Sequence, residues 1–365
     1  MFDNIYKNRR VLITGHTGFK GSWLCSWLLD IGATVAGYSI NIPTQPSHFE
    51  ALNLVNKIKH FEGDIRDKDS LQQSLDQFCP EIIFHFAGQP LVRESYEDPA
   101  LTFETNVMGT LNLLDCLRNS FPTIAAILIT SDKCYENIEW LWGYRENDRL
   151  GGKDPYSASK ACAEIVSKAY MESFFEKTGP RIATTRAGNV IGGGDWAVDR
   201  VIPDCARAWS KGEPVIMRYP SSIRPWQHVL EPLSGYLTLG QKLFQSNDSK
   251  FKNQSFNFGP LTQVNQSVAE LVTEMAQYWP NAKSAFQQEI NSEKPESNLL
   301  KLNCDKALQI LGWKAVLNFE ETVSMTGKWY QVFYDKGPSS IPETTSKQIW
   351  EYIQKADESN LPWVK

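Results

Sequence analysis

The sequence has no apolar run of membrane-spanning length, no C-x-x-C pair, no His/Cys cluster at metal-ligand spacing and no excess of basic residues. Each absence excludes something. A helix needs about 20 consecutive apolar residues to cross a bilayer, so no membrane partner is expected. Lys and Arg number 37 against 42 Asp and Glu, a net charge of −5, so the basic footprint of a nucleic-acid binder is missing. The seven cysteines, Cys25, Cys79, Cys116, Cys134, Cys162, Cys205 and Cys304, stand singly and in odd number. That favours reduced thiols in a cytoplasm over a disulfide framework. Without clustered ligands no metal site is expected. Residues Met1 to Arg10 hold no apolar stretch and do not read as a signal peptide.

What is present is an ordinary globular composition, 42% hydrophobic and 22% charged over 365 residues, enough for one large core or two domains. Short apolar runs alternate with helical patterns. Val11–Thr14, Thr34–Tyr38, Ile58–Phe61, Glu81–Ala87, Ala125–Thr130 and Arg181–Arg186 read as strands. Ser22–Ile31, Asp67–Phe78, Pro99–Ser120 and Asp154 towards Gly179 read as helices. This alternation predicts an α/β protein, a doubly wound parallel sheet of the Rossmann type. Residues 1–186, with 228–262 returning to them, are assigned to that domain. Residues 187–227 and 263–334 are assigned to a smaller C-terminal α/β lobe over the substrate, and 335–365 to an extension, either a docked helix or partly ordered. Ligands of such sheets bind beyond the carboxyl ends of the strands, where Thr14, Ala87, Ser131 and Arg186 fall.

Two motifs carry chemistry. Gly15-His-Thr-Gly18-Phe-Lys-Gly21 lies between a strand and a helix. Its glycines permit a tight turn and close approach to a pyrophosphate, which the helix N-terminus then favours. Its alternative is a glycine turn without ligand. Asp64, after the third strand, is read as an acceptor for an adenine amino group or as a helix N-cap. Ala87-Gly88-Gln89 leaves its strand with small residues, so a ribose or nicotinamide can lie close. Tyr38-Ser-Ile-Asn41 ends the second strand with neither an Asp or Glu for a ribose nor an Arg for a 2′-phosphate, so these residues leave NAD and NADP both open.

The second motif is Ser131-Asp132-Lys133, with Tyr156 and Lys160 downstream. Tyr156 and Lys160 are one turn apart on one helical face. An ammonium beside the phenol is expected to lower its pKa and make it a base. For phosphates, Arg224 in a Pro/Trp-rich loop leads, because its fork matches phosphate geometry. Asn189 is a candidate for a phosphate or sugar oxygen, and Arg200 and Arg186 are weaker candidates. Trp226, Trp196 and Trp142 are read as pocket walls or as core.

Together these features resemble the extended short-chain dehydrogenase/reductase superfamily over roughly residues 8–330. The long strings Gly15–Trp23, Gly88–Arg93, Ser131–Tyr135, Trp142–Asn147, Gly188–Trp196 and Ile223–Pro232 resemble its CDP-glucose 4,6-dehydratase branch. The resemblance implies a hydro-lyase in deoxysugar biosynthesis, of the kind serving lipopolysaccharide O-antigen. It also implies bound NAD, a CDP-glucose substrate and a homodimer or homotetramer. It places the cofactor on Gly15, Thr17, Gly18, Phe19, Lys20 and Gly21, with Asp64, Ile65, Ala87, Gln89, Asn106, Tyr156 and Lys160. It places the substrate on Asn189, Arg200, Arg224 and Trp226. The implied catalytic set is Ser131, Asp132, Lys133, Tyr156 and Lys160. Tyr156 takes the 4-hydroxyl proton, Ser131 bonds that oxygen, Asp132 protonates the departing 6-hydroxyl and Lys133 moves the C5 proton. In most sugar-nucleotide 4,6-dehydratases the last of the trio is Glu. Here Lys133 must act as a neutral base or as a charged stabiliser, unless it is merely paired with Asp132. Rival readings are a nucleotide-sugar 4-epimerase, a dehydratase for another base, and a non-catalytic dinucleotide binder. An epimerase has no use for Asp132 and Lys133.

Helices 99–120 and 154–178 carry apolar residues on more than one face, which suits a four-helix interface between two copies or simple burial against the sheet.

Overall fold

The computed structural model describes residues 1–365 except 177, 218, 262 and 287–298, and the parts of the ranges above that fall on these lie outside the described residues. Six strands form where the apolar runs predict them: β1 (Arg10–Thr14), β2 (Thr34–Ser39), β3 (Lys59–Glu62), β4 (Ile82–His85), β5 (Ala125–Ile129) and β6 (Arg181–Arg186). A seventh, Gln254–Asn257, joins the edge beside β6. The order is Gln254–Asn257, β6, β5, β4, β1, β2, β3, and every neighbouring pair is parallel. The expected doubly wound sheet is therefore present. Its strand order reverses between β1 and β4, which opens a crevice at their carboxyl ends.

Side-chain alternation along the strands divides the core in two. Val11, Ile13, Phe84 and Ile127 face Trp23, Trp27, Leu233 and Leu237 on one side. Leu12, Ile83, Ala126 and Leu128 face Leu71, Leu75, Leu113, Leu117 and Met171 on the other. The helices on the first side are Phe19–Asp30 and Leu230–Gln245. Those on the second are Lys68–Phe78, Gly109–Ser120 and Pro155–Ser173.

The predicted helix Pro99–Ser120 is interrupted. A π-helical segment, Glu104–Met108, separates two α-helical pieces. Such single-turn bulges often mark functional positions, and Asn106 lies inside this one. The seventh strand escapes a pattern search because Gln254-Ser-Phe-Asn257 has no apolar run.

Beyond β6 the chain forms short paired strands. Val190–Ile191 runs parallel to Gln227–His228, and Ile223–Arg224 runs antiparallel to Gln266–Ser267. The C-terminal extension is a docked helix, Ile341–Glu358. The Trp363 ring stacks on Phe2 at 5.2 Å, and Thr345 Oγ1 meets His48 Nε2 at 3.0 Å. The tail thus packs behind the Phe19–Asp30 helix and ties the two chain ends together. Among the described residues no helix is long and apolar enough to cross a membrane.

Candidate active site

The crevice begins at β1. Gly15 has φ 74°, and a methyl group on it would stand 2.8 Å from Ala87 N. A side chain there is excluded twice, by backbone conformation and by contact. At Gly21 a methyl group would come within 2.4 Å of Gly15 O, so the helix start is pressed onto the turn. Gly18 is the N-cap and supplies no side-chain cap. The first N–H groups of the helix, at Phe19 and Lys20, thus face the crevice mouth. Thr17 closes the turn by donating its hydroxyl to Asn41 O at 2.6 Å. An uncapped helix start on a turn without Cβ atoms fits a dinucleotide pyrophosphate.

The floor is the turn after β4. Asn106 Oδ1 accepts from Gln89 N at 2.8 Å, while its Nδ2 donates to Gln89 O at 3.1 Å and to Ser159 Oγ at 2.9 Å. Gln89 Nε2 reaches Thr102 Oγ1 at 2.9 Å. Asn106 thereby fastens the Ala87–Gln89 turn to the helix carrying Tyr156. A methyl group on Gly88 would stand 3.1 Å from Lys160 Nζ, so the Lys160 amine lies directly over that turn.

The reactive groups come from two elements. Asp154 caps the Pro155–Ser173 helix by accepting from Ser157 N at 2.9 Å, and Pro155 occupies the first turn. Ser95 Oγ receives Tyr156 N at 3.1 Å. Tyr156, Lys160 and Glu164 follow down one buried face. Opposite them, after β5, Ser131 to Cys134 make one 3-10 turn. The Ser131 hydroxyl donates to Asp132 Oδ1 at 3.0 Å and accepts from Lys133 N at 3.2 Å. It also bonds the Tyr156 phenol. Asp132 is buried and held by Ser131, while Lys133 is only half-buried.

Burial pushes the Tyr156 phenol up to about 12; Ser131 and Arg200 oppose the rise and Asp132 adds to it. Burial also pulls the Lys160 amine down to about 8. The charges acting on Tyr156 are Asp132, Arg200 and Asp154. The Lys160 amine stands over the Gly88 turn. In place of the expected lowering, the Tyr156 pKa rises, and burial is the first cause.

Arg200 is fixed by Asp195 at 2.8 Å and acts on Tyr156. Asn189, with φ 48°, turns the chain just after Gly188. Arg224 lies on the short strand Ile223–Arg224 and is half-buried.

The model of the family described as GDP-mannose 4,6 dehydratase matches residues 12–326. The chain belongs to that family. Within reach of this family's fold is the CDP-glucose 4,6-dehydratase of Salmonella typhimurium, 48% identical over 335 residues that cover 90% of this chain and 92% of that one. Two solved structures share the fold. One is a Thermus thermophilus UDP-glucose 4-epimerase in complex with NAD, with TM-score 0.76 and 24% identity, covering 88% of this chain and 99% of that chain. The other is a Bacillus anthracis dTDP-glucose 4,6-dehydratase in complex with NAD, with TM-score 0.72 and 18% identity, covering 88% and 96%.

Several residues of this family member sit differently from their sequence reading. Asp64 is not an N-cap; Asp67 caps the next helix by accepting from Ser70 N at 3.0 Å. The Asp64 carboxylate instead accepts from Arg66 Nη2 at 2.6 Å and Arg66 N at 2.9 Å, and that bonding holds it below the usual carboxylate range. Ile65 is buried against Gly109, where a methyl group would stand 2.6 Å from Ile65 Cγ2. Trp226 takes the core alternative of its reading, with Nε1 donating to Gln266 O at 3.1 Å. Trp196 is also core, and Trp142 is 70% exposed. Arg186 is withdrawn from phosphate binding by a buried ion pair with Glu164 at 2.8 Å. Thr184 and Ser255 also bond that carboxylate, at 2.8 and 3.3 Å.

Sequence reasoning assigned no role to Asp195 or Glu164. Glu164 reaches Arg186 only through the packing of a helix on a strand, whereas Asp195 and Arg200 are near neighbours in sequence.

Proposed function

We propose that the chain catalyses the NAD-dependent 4,6-dehydration of CDP-glucose to CDP-4-keto-6-deoxyglucose and water. The observation that carries this reading is the Asp132 carboxylate, bonded to Ser131 beside Tyr156, with Lys133 next to it. Oxidation at C4 needs Tyr156 and Ser131. An additional acid and amine serve only a reaction that also moves a C5 proton and expels the 6-hydroxyl. The 48% identity to a CDP-glucose 4,6-dehydratase supports the same assignment.

A C5 proton is removable only when C4 is a ketone. When bound, NAD⁺ would supply the redox capacity that makes C4 a ketone and reduces C6 with the same hydride. The uncapped turn at Gly15, Thr17 and Gly18 and the helix start at Phe19, Lys20 and Gly21 would hold the pyrophosphate. Asp64, Ile65, Ala87, Gln89 and Asn106 would line the rest, and Lys160 would bond the nicotinamide ribose. Tyr156 takes the 4-hydroxyl proton while Ser131 bonds the 4-oxygen. Lys133 removes the C5 proton and later returns it. Asp132 gives its proton to the departing 6-hydroxyl. Acid–base catalysis of this kind supplies about 10²–10⁴-fold per group. Asn189, Arg200, Arg224 and Trp226 would bind the nucleotide sugar.

We place the enzyme in the cytoplasm, in deoxysugar synthesis of the kind that serves lipopolysaccharide O-antigen. We further infer a homodimer or homotetramer, paired through the exposed apolar side chains Met108, Ile165 and Phe174. Leu113, Leu117 and Phe175 are spent on the sheet.

The test is incubation with CDP-, dTDP-, UDP- and GDP-hexoses and NAD⁺, followed by mass spectrometry. Loss of one water from CDP-glucose alone supports the reading. Loss from another nucleotide keeps the reaction and removes the cytosine assignment. No loss from any of them, with a new sugar isomer by NMR, turns the assignment to an epimerase.

A further inference from the structure

Thr130 follows β5 and directly precedes Ser131, and Tyr135 directly follows Cys134. Both flanks of the catalytic turn end on one buried ion pair. The Thr130 hydroxyl donates to Glu164 Oε1 at 2.5 Å and lies 3.0 Å from Thr185 O. Arg186 Nη1 donates to the Tyr135 hydroxyl at 2.7 Å, and the guanidinium carbon stands 4.8 Å from the centre of the Tyr135 ring. Arg186 Nη2 meets Glu164 Oε2 at 2.8 Å, with the two side chains 3% and 2% exposed. Inside the turn, Asp132 N donates to the carbonyl of Ala187, the residue after Arg186, at 3.4 Å.

Glu164 also belongs to the helix of Tyr156 and Lys160. The three stand four residues apart, so they follow one another along one helical face. The 3-10 turn packs on that same helix. The carboxylate that holds Thr130 is therefore rigidly joined to the phenol and the amine. The Arg186 guanidinium also donates to Glu146 O at 3.0 Å and to Ser255 Oγ at 3.2 Å. Enclosed in this way, neither side chain of the pair can touch a substrate. A buried ion pair often stabilises no more than apolar residues of the same size, because both charges lose their water. What this one supplies is direction: fixed bonds to the residue before the turn and to the residue after it.

We propose that Glu164 and Arg186 are positioning residues for the reaction: the pair grips the Ser131–Lys133 turn at both ends and sets it against the helix that carries Tyr156 and Lys160. This rests on the dehydratase reading above and adds to it two residues that act through others.

Cutting the pair itself would strand a buried charge and endanger the fold, so the experiment removes its ties one at a time. Thr130→Val deletes the hydroxyl bond to Glu164 and keeps the shape of the side chain. Thr184→Val is the matched control. The Thr184 hydroxyl donates to Oε2 of the same carboxylate at 2.8 Å, but from β6 and not from the catalytic turn. Steady-state turnover of CDP-glucose with NAD⁺, and thermal melting, are measured on the full-length wild type, both valine variants, Thr130→Ser and Tyr135→Phe. The two valine variants should lose similar melting temperature. In Thr130→Val kcat should fall about 10- to 100-fold with KM within about twofold of wild type, while Thr184→Val keeps the wild-type kcat. Thr130→Ser restores the hydroxyl and should recover most of the loss. Tyr135→Phe cuts the tie at the other end and should lower kcat in the same way. Equal kcat in the two valine variants would overturn the proposal and leave the pair as a brace of the core. Should Thr130→Val fail to fold, Tyr135→Phe decides, and a wild-type kcat there would overturn the proposal. Wild-type turnover of another nucleotide hexose in place of CDP-glucose removes only the cytosine assignment, and the same comparison is then made on that substrate. No turnover of CDP-, dTDP-, UDP- or GDP-hexoses by wild type would remove the dehydratase reading and the proposal with it.

Discussion

The Asp132 carboxylate rests directly on the Cα of Gly188: a methyl group there would stand 1.7 Å from Oδ2 and 2.2 Å from Cγ. Any side chain at 188 must therefore push the acid away from Ser131 and Tyr156. Gly188→Ala should leave the fold intact by circular dichroism, because the segment follows β6 without a positive φ at that residue. Turnover to dehydrated product should fall roughly 10²–10⁴-fold, the usual contribution of a positioned acid. The C4-oxidised hexose should still be detected after a single turnover. Unaffected dehydration would mean that Asp132 is not the acid.

Lys133 is the residue proposed to move the C5 proton. Its backbone is fixed by Ser131 Oγ at 3.2 Å, and the residue is half-buried. The Asp132 carboxylate, the alternative partner for its amine, accepts from the Ser131 hydroxyl at 3.0 Å. Lys133→Met should cut turnover by about 10²–10⁴-fold and abolish deuterium uptake at C5 from heavy water. Deuterium uptake at the wild-type rate would assign the C5 proton to another residue.

Much of this was legible in local sequence, and the remainder was not for identifiable reasons. Val11–Thr14 and Ala125–Ile129 are apolar runs bounded by turn signals, so β1 and β5 could be read directly, and with them the parallel sheet. The shared face of Tyr156 and Lys160 follows from helical spacing. The strand Gln254–Asn257 is short and polar, so it carries no periodic signal. The π-helical segment around Asn106 obeys tertiary bonds to Gln89 and Ser159 rather than propensity. Arg186 looked like a phosphate ligand because its partner, Glu164, is brought to it only by the packing of a helix on a strand. The pKa of Tyr156 differs from its reading because spacing shows the helical face but not how deeply the phenol is buried.

Glu231 links the tail to the core and makes stability depend on pH. It is buried; Oε1 accepts from Val316 N at 2.9 Å and Leu317 N at 2.7 Å, and Oε2 accepts from Tyr352 of the C-terminal helix at 2.8 Å. Burial raises its pKa from 4.5 to about 7. Between those values the folded chain binds more protons at this site than the unfolded chain. Its contribution to stability is thus present at the acid end and declines as pH rises through about 7. Glu231→Gln should remove that decline, seen as a smaller change in melting temperature between about pH 5 and about pH 7.5. A variant with the same pH slope as wild type would contradict the assignment.

The central claim is an internal redox dehydration, in which the hydrogen taken from C4 returns to C6 of the same sugar. The most direct measurement is turnover of CDP-glucose carrying deuterium at C4, with the product read by NMR. The site described here predicts deuterium in the C6 methyl group and none at C4. Deuterium retained at C4, or lost to solvent with no label at C6, would contradict it.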